Sequence, residues 1–261
     1  MTSFNRKQLL TSAAVLVLIA AGIGYRLELF SVPETRKATA SEIEQIKKSS
    51  KLETQAELYK QLIVRVGPVQ AQEELRSSGL PFTGQTHLLN HTVGEYLYET
   101  EGPAGLIKCR DYFLSSCEHG FIILAIGEGG MEQVSKVFDV CRNAGTAVMT
   151  QCAHATGHGF LAWQGYRQLI EALTLCDQAA EQIRQFPLFN CHDGVFMENI
   201  WGVHEGKPAA DRWISETDPV YPCNDERIQY VYLKACWSNQ PARMYQMFNR
   251  DLSKIGQECY K

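Results

Sequence analysis

The amino-acid sequence predicts an all-α protein, in which disulfide-stapled helix-pair repeats form a solenoid or toroid-like arrangement after an N-terminal transmembrane helix. A histidine or cysteine pattern followed by glycine recurs at intervals of roughly 30–40 residues, which is typical of helix-pair repeats. Its copies are His87–Gly94, Cys117–Gly120, Cys152–Gly159, Cys191–Gly194 and a degenerate Cys236–Ser238. A second cysteine precedes each later copy, and an apolar helix-like stretch follows each one. Alternating runs typical of strands are rare.

Residues 1–30 predict a cytoplasmic tip and a transmembrane anchor or signal segment. Arg6 and Lys7 precede an apolar run over Leu9–Tyr25, and a positive flank places the N-terminus in the cytoplasm. The run is at the short end of the roughly 17–25 residues that span a bilayer. An uncleaved anchor is favoured over a signal peptide cut near Ala20–Gly22. We therefore expect contact with the membrane and an extracytoplasmic C-terminal domain, in the periplasm or at the cell surface.

Residues 31–80 predict a polar linker and then a helical stalk or cap. Apolar positions keep a helical spacing over Ser41–Val64, and Gly67–Pro68 ends that pattern. One more short helix is expected over Val69–Leu75. None of these residues carries recognisable chemistry, so we place the Cys/His helical repeat domain at residues 81–261.

Nine cysteines lie in this last region, and an exported chain favours disulfides over thiolate metal sites. Among many connectivities, consecutive pairing suits helix hairpins and would contribute about 2–4 kcal/mol per bond. The pairs would be Cys109–Cys117, Cys141–Cys152, Cys176–Cys191 and Cys223–Cys236. In an unbroken helix, Cys109 and Cys117 would lie about 12 Å apart, beyond bonding reach, so this pair requires a break near Ser115–Ser116. Cys259 is left as a free or intermolecular thiol.

Histidines are concentrated in the same copies. Two pairs, His87/His91 and His154/His158, have the i,i+4 spacing that puts both imidazoles on one helix face. Metal sites use this spacing to obtain two nitrogen ligands from one turn of helix. If the repeats stack, single histidines in the other copies would converge with these pairs. The predicted metal ligands are His87, His91, His119, His154 and His158, with His192 and Glu198 as second-rank members.

Imidazole-rich sites suit copper, iron or zinc, so we expect a transition metal as cofactor. Metal-bound water or dioxygen could make such a site catalytic. The HExxH signature of zinc proteases is absent, because Leu88 follows His87 and Ala155 follows His154. A Cys-x-x-Cys-His motif for c-type haem is also absent. The predicted function is transition-metal binding by a membrane-anchored extracytoplasmic protein, with the question of enzymatic activity left open.

The alternative is a helical-repeat scaffold with structural histidines, whose surface binds another exported protein or a peptide. It predicts a sizeable exposed apolar patch, and the recurring glycines would simply allow close helix contacts. The metal site instead requires histidine nitrogens within about 5 Å of one another. Nucleic acid is excluded as the main partner, because the net charge is −4 and no basic cluster follows residue 50.

Overall fold

Helices account for nearly all regular structure in the computed structural model, which describes residues 37–204 and 207–259. In chain order they are α1 (Ala40–Lys48), α2 (Leu52–Val66), α3 (Pro68–Ser77), α4 (Gly84–Glu101), a 3₁₀ helix (Gly102–Lys108), α5 (Ser116–Ala144), α6 (Thr146–Gln164), α7 (Leu169–Gln182), α8 (Leu188–Trp201), α9 (Tyr230–Met247) and α10 (Leu252–Cys259). Strands β1 (Val203–His204) and β2 (Lys207–Pro208) pair antiparallel over two residues each. The all-α prediction is confirmed.

The predicted membrane anchor over Leu9–Tyr25 lies outside the described residues, as do the cytoplasmic tip and the first part of the predicted linker. Within the described part of the chain, no helix combines the length and the apolar character that crossing a bilayer requires. The anchor therefore stays a prediction.

The helical spacing over Ser41–Val64 is divided between two helices, because the chain breaks between α1 and α2. The break follows Lys48, where Ser49 takes up an extended conformation. The Gln55 side-chain amide donates to the carbonyl of Ile46 and to that of Ser49, at 3.0 Å each. These bonds give carbonyl groups at the end of α1 a side-chain donor. The short helix predicted over Val69–Leu75 is present as α3.

Helices α1–α3 pack into the same hydrophobic core as the helices that follow them. Tyr59 and Ile63 of α2 are completely buried in this core. The Tyr59 hydroxyl donates to the carbonyl of Ala71 in α3 at 3.0 Å, which satisfies a buried polar group at a helix contact. Burial of these side chains ties the N-terminal helices to the rest of the core.

The four consecutive disulfides predicted from the sequence are all present: Cys109–Cys117, Cys141–Cys152, Cys176–Cys191 and Cys223–Cys236. The break that the first pair requires is also present, because α5 begins only at Ser116. Three residues before it have left-handed φ angles of 52°, 58° and 53°, and this turn brings the Cα atoms of the first pair to 5.4 Å. Cys259 is free and exposed.

Four glycines allow two helix pairs to approach at backbone contact. In the pair α4/α5, a Cβ on Gly94 would overlap the Cys117 carbonyl oxygen, and one on Gly120 would overlap the His91 carbonyl oxygen. In the pair α6/α8 the same relation holds for Gly157 with Cys191, and for Gly194 with His154. Each contacted residue lies three positions before a glycine of its own helix: His91 before Gly94, Cys117 before Gly120, His154 before Gly157, and Cys191 before Gly194. Only glycine lacks the Cβ that would separate these helices.

We expect Gly157→Ala to destabilise the protein by about 1–3 kcal/mol or more, because its Cβ has no space beside a backbone carbonyl. The matched control is Gly127→Ala, also within a helix, where a Cβ would meet nothing within 4 Å. That substitution should be neutral or stabilising by up to about 1 kcal/mol, since alanine is the better helix former. Urea unfolding followed by circular dichroism measures both. Equal effects of the two substitutions would contradict the close-contact interpretation.

Candidate metal centre

Five histidines, each on one of three helices, are neighbours in the folded chain and are called the five-histidine cluster below. Their nitrogens form two groups of three, and within each group the ligand atoms all lie within 4.8 Å of one another. The first group is His87, His91 and His119, and the second is His119, His154 and His158. His119 therefore belongs to both groups.

The path of α5 brings the two groups together. His119 lies in the first turn of α5, and the helix is interrupted at Gly130, whose φ of 55° and ψ of −138° are not helical. The part of α5 before this break packs closely on α6. A Cβ on Gly159 would lie 3.4 Å from the Ile123 Cα and nearer still to Ile126. This contact places the start of α5 beside the histidine pair of α6.

Two carboxylates of α8 contact the second group from its outer side. His158 Nδ1 lies 2.7 Å from Glu198 Oε2, and His154 Nδ1 lies 3.2 Å from Asp193 Oδ2. Glu198 also accepts a hydrogen bond from the Tyr166 hydroxyl. In metal sites, carboxylates behind the ligand histidines fix the ring orientation and raise the basicity of the coordinating nitrogen.

The first group has a backbone carbonyl where the second has carboxylates. His87 Nδ1 lies 2.6 Å from the Phe113 carbonyl oxygen. Phe113 is the first of the three left-handed residues before α5, and such strained backbone is retained where the surrounding structure requires it.

His91 Nε2 is buried and has no hydrogen-bond partner among the described residues. An unpaired buried nitrogen is costly unless a ligand binds it.

The outer partners determine which ring nitrogens carry protons. A carboxylate can only accept, so His154 and His158 donate from Nδ1 and keep a lone pair on Nε2. Their Nε2 atoms lie 3.1 Å apart, so that one lone pair faces the other. By the same reasoning His87 has a lone pair on Nε2, which lies 3.2 Å from His119 Nδ1. Both distances approach the roughly 3.3 Å that separates two nitrogens on a tetrahedral zinc ion.

Burial favours the neutral form of four histidines of the cluster. Loss of hydration lowers the pKa of His87 and of His154, and it holds the pKa of His91 and of His119 well below the usual value. Neighbouring histidines lower these pKa values further, because a second positive charge nearby is repelled. For His154, the hydrogen bond to Asp193 opposes the shift. Metals bind the neutral imidazole, so these pKa shifts suit metal binding.

Glu198, a second-rank candidate, is close to the cluster but faces its outer side, at His158 Nδ1. His192 lies elsewhere. Its Nε2 is 2.9 Å from Asp177 Oδ1, and the other oxygen of Asp177 accepts a hydrogen bond of 2.6 Å from the Tyr232 hydroxyl. These bonds connect α7, α8 and α9, so His192 serves helix packing there.

The glycine contacts explain why His192 is not in the cluster. Gly120 and Gly194 occupy equivalent places in their helix pairs, and the residue before each is His119 and Asp193, respectively. His192 is therefore one position out of register, which turns its side chain by about 100° around the helix. Counting the same number of residues from the cysteine or from the glycine of each copy would have identified Asp193, because Cys117–Gly120 and Cys191–Gly194 have the same spacing. The Tyr166 and Phe113 contacts had no comparable signal, because these residues lie outside the repeated pattern.

Glu118, beside His119 in the chain, is another buried titratable group. Its side chain is 4% exposed, and its Oε2 has no hydrogen-bond partner within the described part of the chain. Burial raises the pKa of Glu118 to about 7, and the nearby Asp111 carboxylate contributes to this shift. Folding therefore favours the protonated carboxyl.

Comparisons with protein-family models, curated proteins and solved structures found no match. Inferences about function therefore depend on the geometry of the cluster itself.

The histidine pKa values predict that the metal-depleted protein loses stability in acid. In the unfolded chain histidines bind protons below about pH 6.5, whereas His87, His91, His119 and His154 resist protonation in the folded chain. The free energy of unfolding should thus fall as the pH decreases below about 6.5, by up to about 1.4 kcal/mol per pH unit for each such histidine. Urea unfolding at several pH values, in the presence of a chelator, measures this slope.

Two variants separate the contributions to that slope. His119→Gln removes one group that only the unfolded state protonates, so the slope should become shallower. Glu118→Gln should make the slope steeper, because its raised pKa makes the folded state bind the extra proton between about pH 4.5 and 7. A slope that neither variant changes would contradict the assignment of the pH dependence to these groups.

Proposed function

We propose that this protein binds a transition metal in its five-histidine cluster. The observation that carries the proposal is the 3.1 Å approach of the Nε2 atoms of His154 and His158, while Nδ1 of each ring faces a carboxylate. Two facing lone pairs repel each other unless a cation lies between them. A metal ion would satisfy both, and a shared proton is the alternative that experiment must exclude.

The donor set indicates copper, zinc or iron. Imidazole nitrogens suit these ions, whereas calcium and magnesium prefer oxygen ligands. Eight cysteines are in disulfides, so their thiolates do not compete for the metal. Each histidine group offers three nitrogens, and catalytic zinc sites use three protein ligands with a fourth position for water or substrate. This supports extending the proposal to metal-dependent catalysis.

The proposal includes a location and a repeat architecture. We infer a single-pass protein whose C-terminal domain is extracytoplasmic, on the basis of the apolar N-terminal run and of four disulfides, which persist in oxidising compartments. We also infer that the helices carrying the cluster are structural repeats in a solenoid or toroid-like order. The equivalent glycine contacts of α4/α5 and α6/α8 support this inference.

A second candidate function, binding of an exported protein or peptide, is favoured by the exposed aromatic side chains of α9. Tyr230 is 91% exposed, and Trp237 and Tyr245 are each more than two-fifths exposed. Their spacing of about two helical turns puts them on one side of the helix. Lys234 of α9 lies 4.5 Å above the ring of Phe189, which extends the surface to α8. Exposed aromatic residues of this kind are common at protein interfaces.

Metal content tests the leading proposal. The full-length chain, purified oxidised and without a histidine tag, should contain at least one equivalent of copper, zinc or iron by elemental analysis. A His154→Gln/His158→Gln double variant should lose the metal that these two rings bind and keep its helical circular dichroism. Free metal at about 100 times its dissociation constant should raise the unfolding free energy of the native chain by about 2.7 kcal/mol.

His192→Gln is the matched control for these variants, because it replaces a buried histidine outside the cluster. It should keep the metal. Absence of metal from the native chain, even after loading with each of the three ions, would contradict the proposal and leave the facing nitrogens to be explained by a shared proton.

Glu198→Gln tests the role of the outer carboxylate. Removing a carboxylate behind a ligand histidine typically weakens metal binding by about 10–100-fold, and we expect a loss of this size. Asp177→Asn is the matched control, because Asp177 makes the same kind of contact with His192, outside the cluster. Competition with a chromogenic chelator measures both affinities. Equal affinities for the two variants would show that the contact between Glu198 and His158 does not tune a metal ligand.

A further inference from the structure

The arrangement of the two histidine groups limits how many ions they can bind. Two ligands of one ion lie at most about 4.2 Å apart when each bond is about 2.1 Å long. Within each group the nitrogens lie within 4.8 Å of one another, and small side-chain movements would bring all three onto one ion. Among the described residues, the two groups share only His119 and do not combine into one set. The five rings therefore fit two ions better than one.

His119 lies between the two groups. Its Nδ1 is 3.2 Å from His87 Nε2, which directs this nitrogen toward the first group. Its ring centroid is 4.9 Å from that of His158 and 5.4 Å from that of His154. The two nitrogens of an imidazole point in different directions, so one ring can serve an ion on each side. The His119 side chain is only 5% exposed and is held in this position by its burial.

Each group also has outer support of its own. The second group is held by Glu198 and Asp193, two carboxylates of α8. The first is held by the Phe113 carbonyl before α5, and it contains the buried unpaired Nε2 of His91. A histidine that donates to a carboxylate is a stronger ligand than one that donates to a carbonyl. These separate supports are expected if each group positions its own ion.

We propose that the five-histidine cluster is a dinuclear centre, in which two divalent transition-metal ions share His119 as a bridging imidazolate. His87 and His91 complete the ligands of one ion, and His154 and His158 complete those of the other. Binding of the second ion releases the remaining N–H proton of His119 to solvent. The inference rests on the proposed metal-binding function and adds the number of ions and the bridge.

Titration of the metal-depleted full-length protein with Cu(II) tests this inference. Elemental analysis after removal of unbound ion should give two equivalents per chain. Two Cu(II) ions joined by an imidazolate are magnetically coupled, so the electron paramagnetic resonance signal per copper should be much weaker than that of an isolated ion. Full-strength signals from both ions would overturn the bridge.

Variants on each side of the bridge distinguish two sites from one. His87→Gln and His158→Gln should each keep about one equivalent of copper, now with the full signal of an uncoupled ion. His192→Gln should keep two coupled ions, because His192 lies outside the cluster. His119→Gln should abolish the coupling, and circular dichroism checks that each variant is folded.

The outcomes separate this inference from the proposed function. One equivalent in the native chain, lost on replacing either His87 or His158, would overturn the dinuclear centre and retain metal binding. No copper, zinc or iron bound in any preparation would overturn both. Two coupled ions in the native chain and one uncoupled ion in each side variant would support both.

Discussion

Close backbone contact within two helix pairs is the constraint on which the rest of the site depends. At Gly94, Gly120, Gly157 and Gly194 the opposite helix approaches so closely that a Cβ would overlap its carbonyl oxygen. Two of the contacted carbonyls belong to His91 and His154, which are members of the cluster. The backbone therefore sets how close the imidazoles of α4 and α5 lie, and how close the carboxylates of α8 lie to His154 and His158. A small change at one glycine would be transmitted to the nitrogens, because packed helices move as rigid units.

Two of the disulfides include residues of the same contacts. The other two contacted carbonyls belong to Cys117 and Cys191, whose sulfurs are bonded to Cys109 and Cys176. Cys117 and Cys191 thus each form a disulfide bond and also lie at a close contact between two helices. Each bond restricts the unfolded chain by roughly 2–4 kcal/mol, which helps to offset the cost of keeping unpaired imidazole nitrogens buried and close together. A cluster with that cost is retained more readily when a bound cation relieves it.

Much of this structure could be predicted from the sequence, because its determinants are local. Helical periodicity and consecutive cysteine spacing depend on near neighbours, so the helical class and the four disulfides were predicted correctly. Other features depend on contacts between distant segments. At the break before α2, the Gln55 side chain donates to carbonyl groups at the end of the preceding helix. The roles of Phe113 and Tyr166 depend on how loops and helices meet. His192 was a candidate because it lies next to a repeated cysteine, although it is one position short of the place that His119 occupies after Cys117.

The two helix pairs are equivalent in their contacts but not in their chemistry, and this difference explains the central place of His119. In α4/α5 the residue before the second glycine is a histidine, and in α6/α8 it is Asp193. The aspartate hydrogen-bonds to His154 Nδ1, on the outer side of the ring, and provides no nitrogen. The second pair therefore contributes two imidazoles of its own, His154 and His158, and its third nearby ring is His119 from the first pair. An aspartate in place of a histidine thus makes one group depend on the other, which a pair of identical repeats would not require.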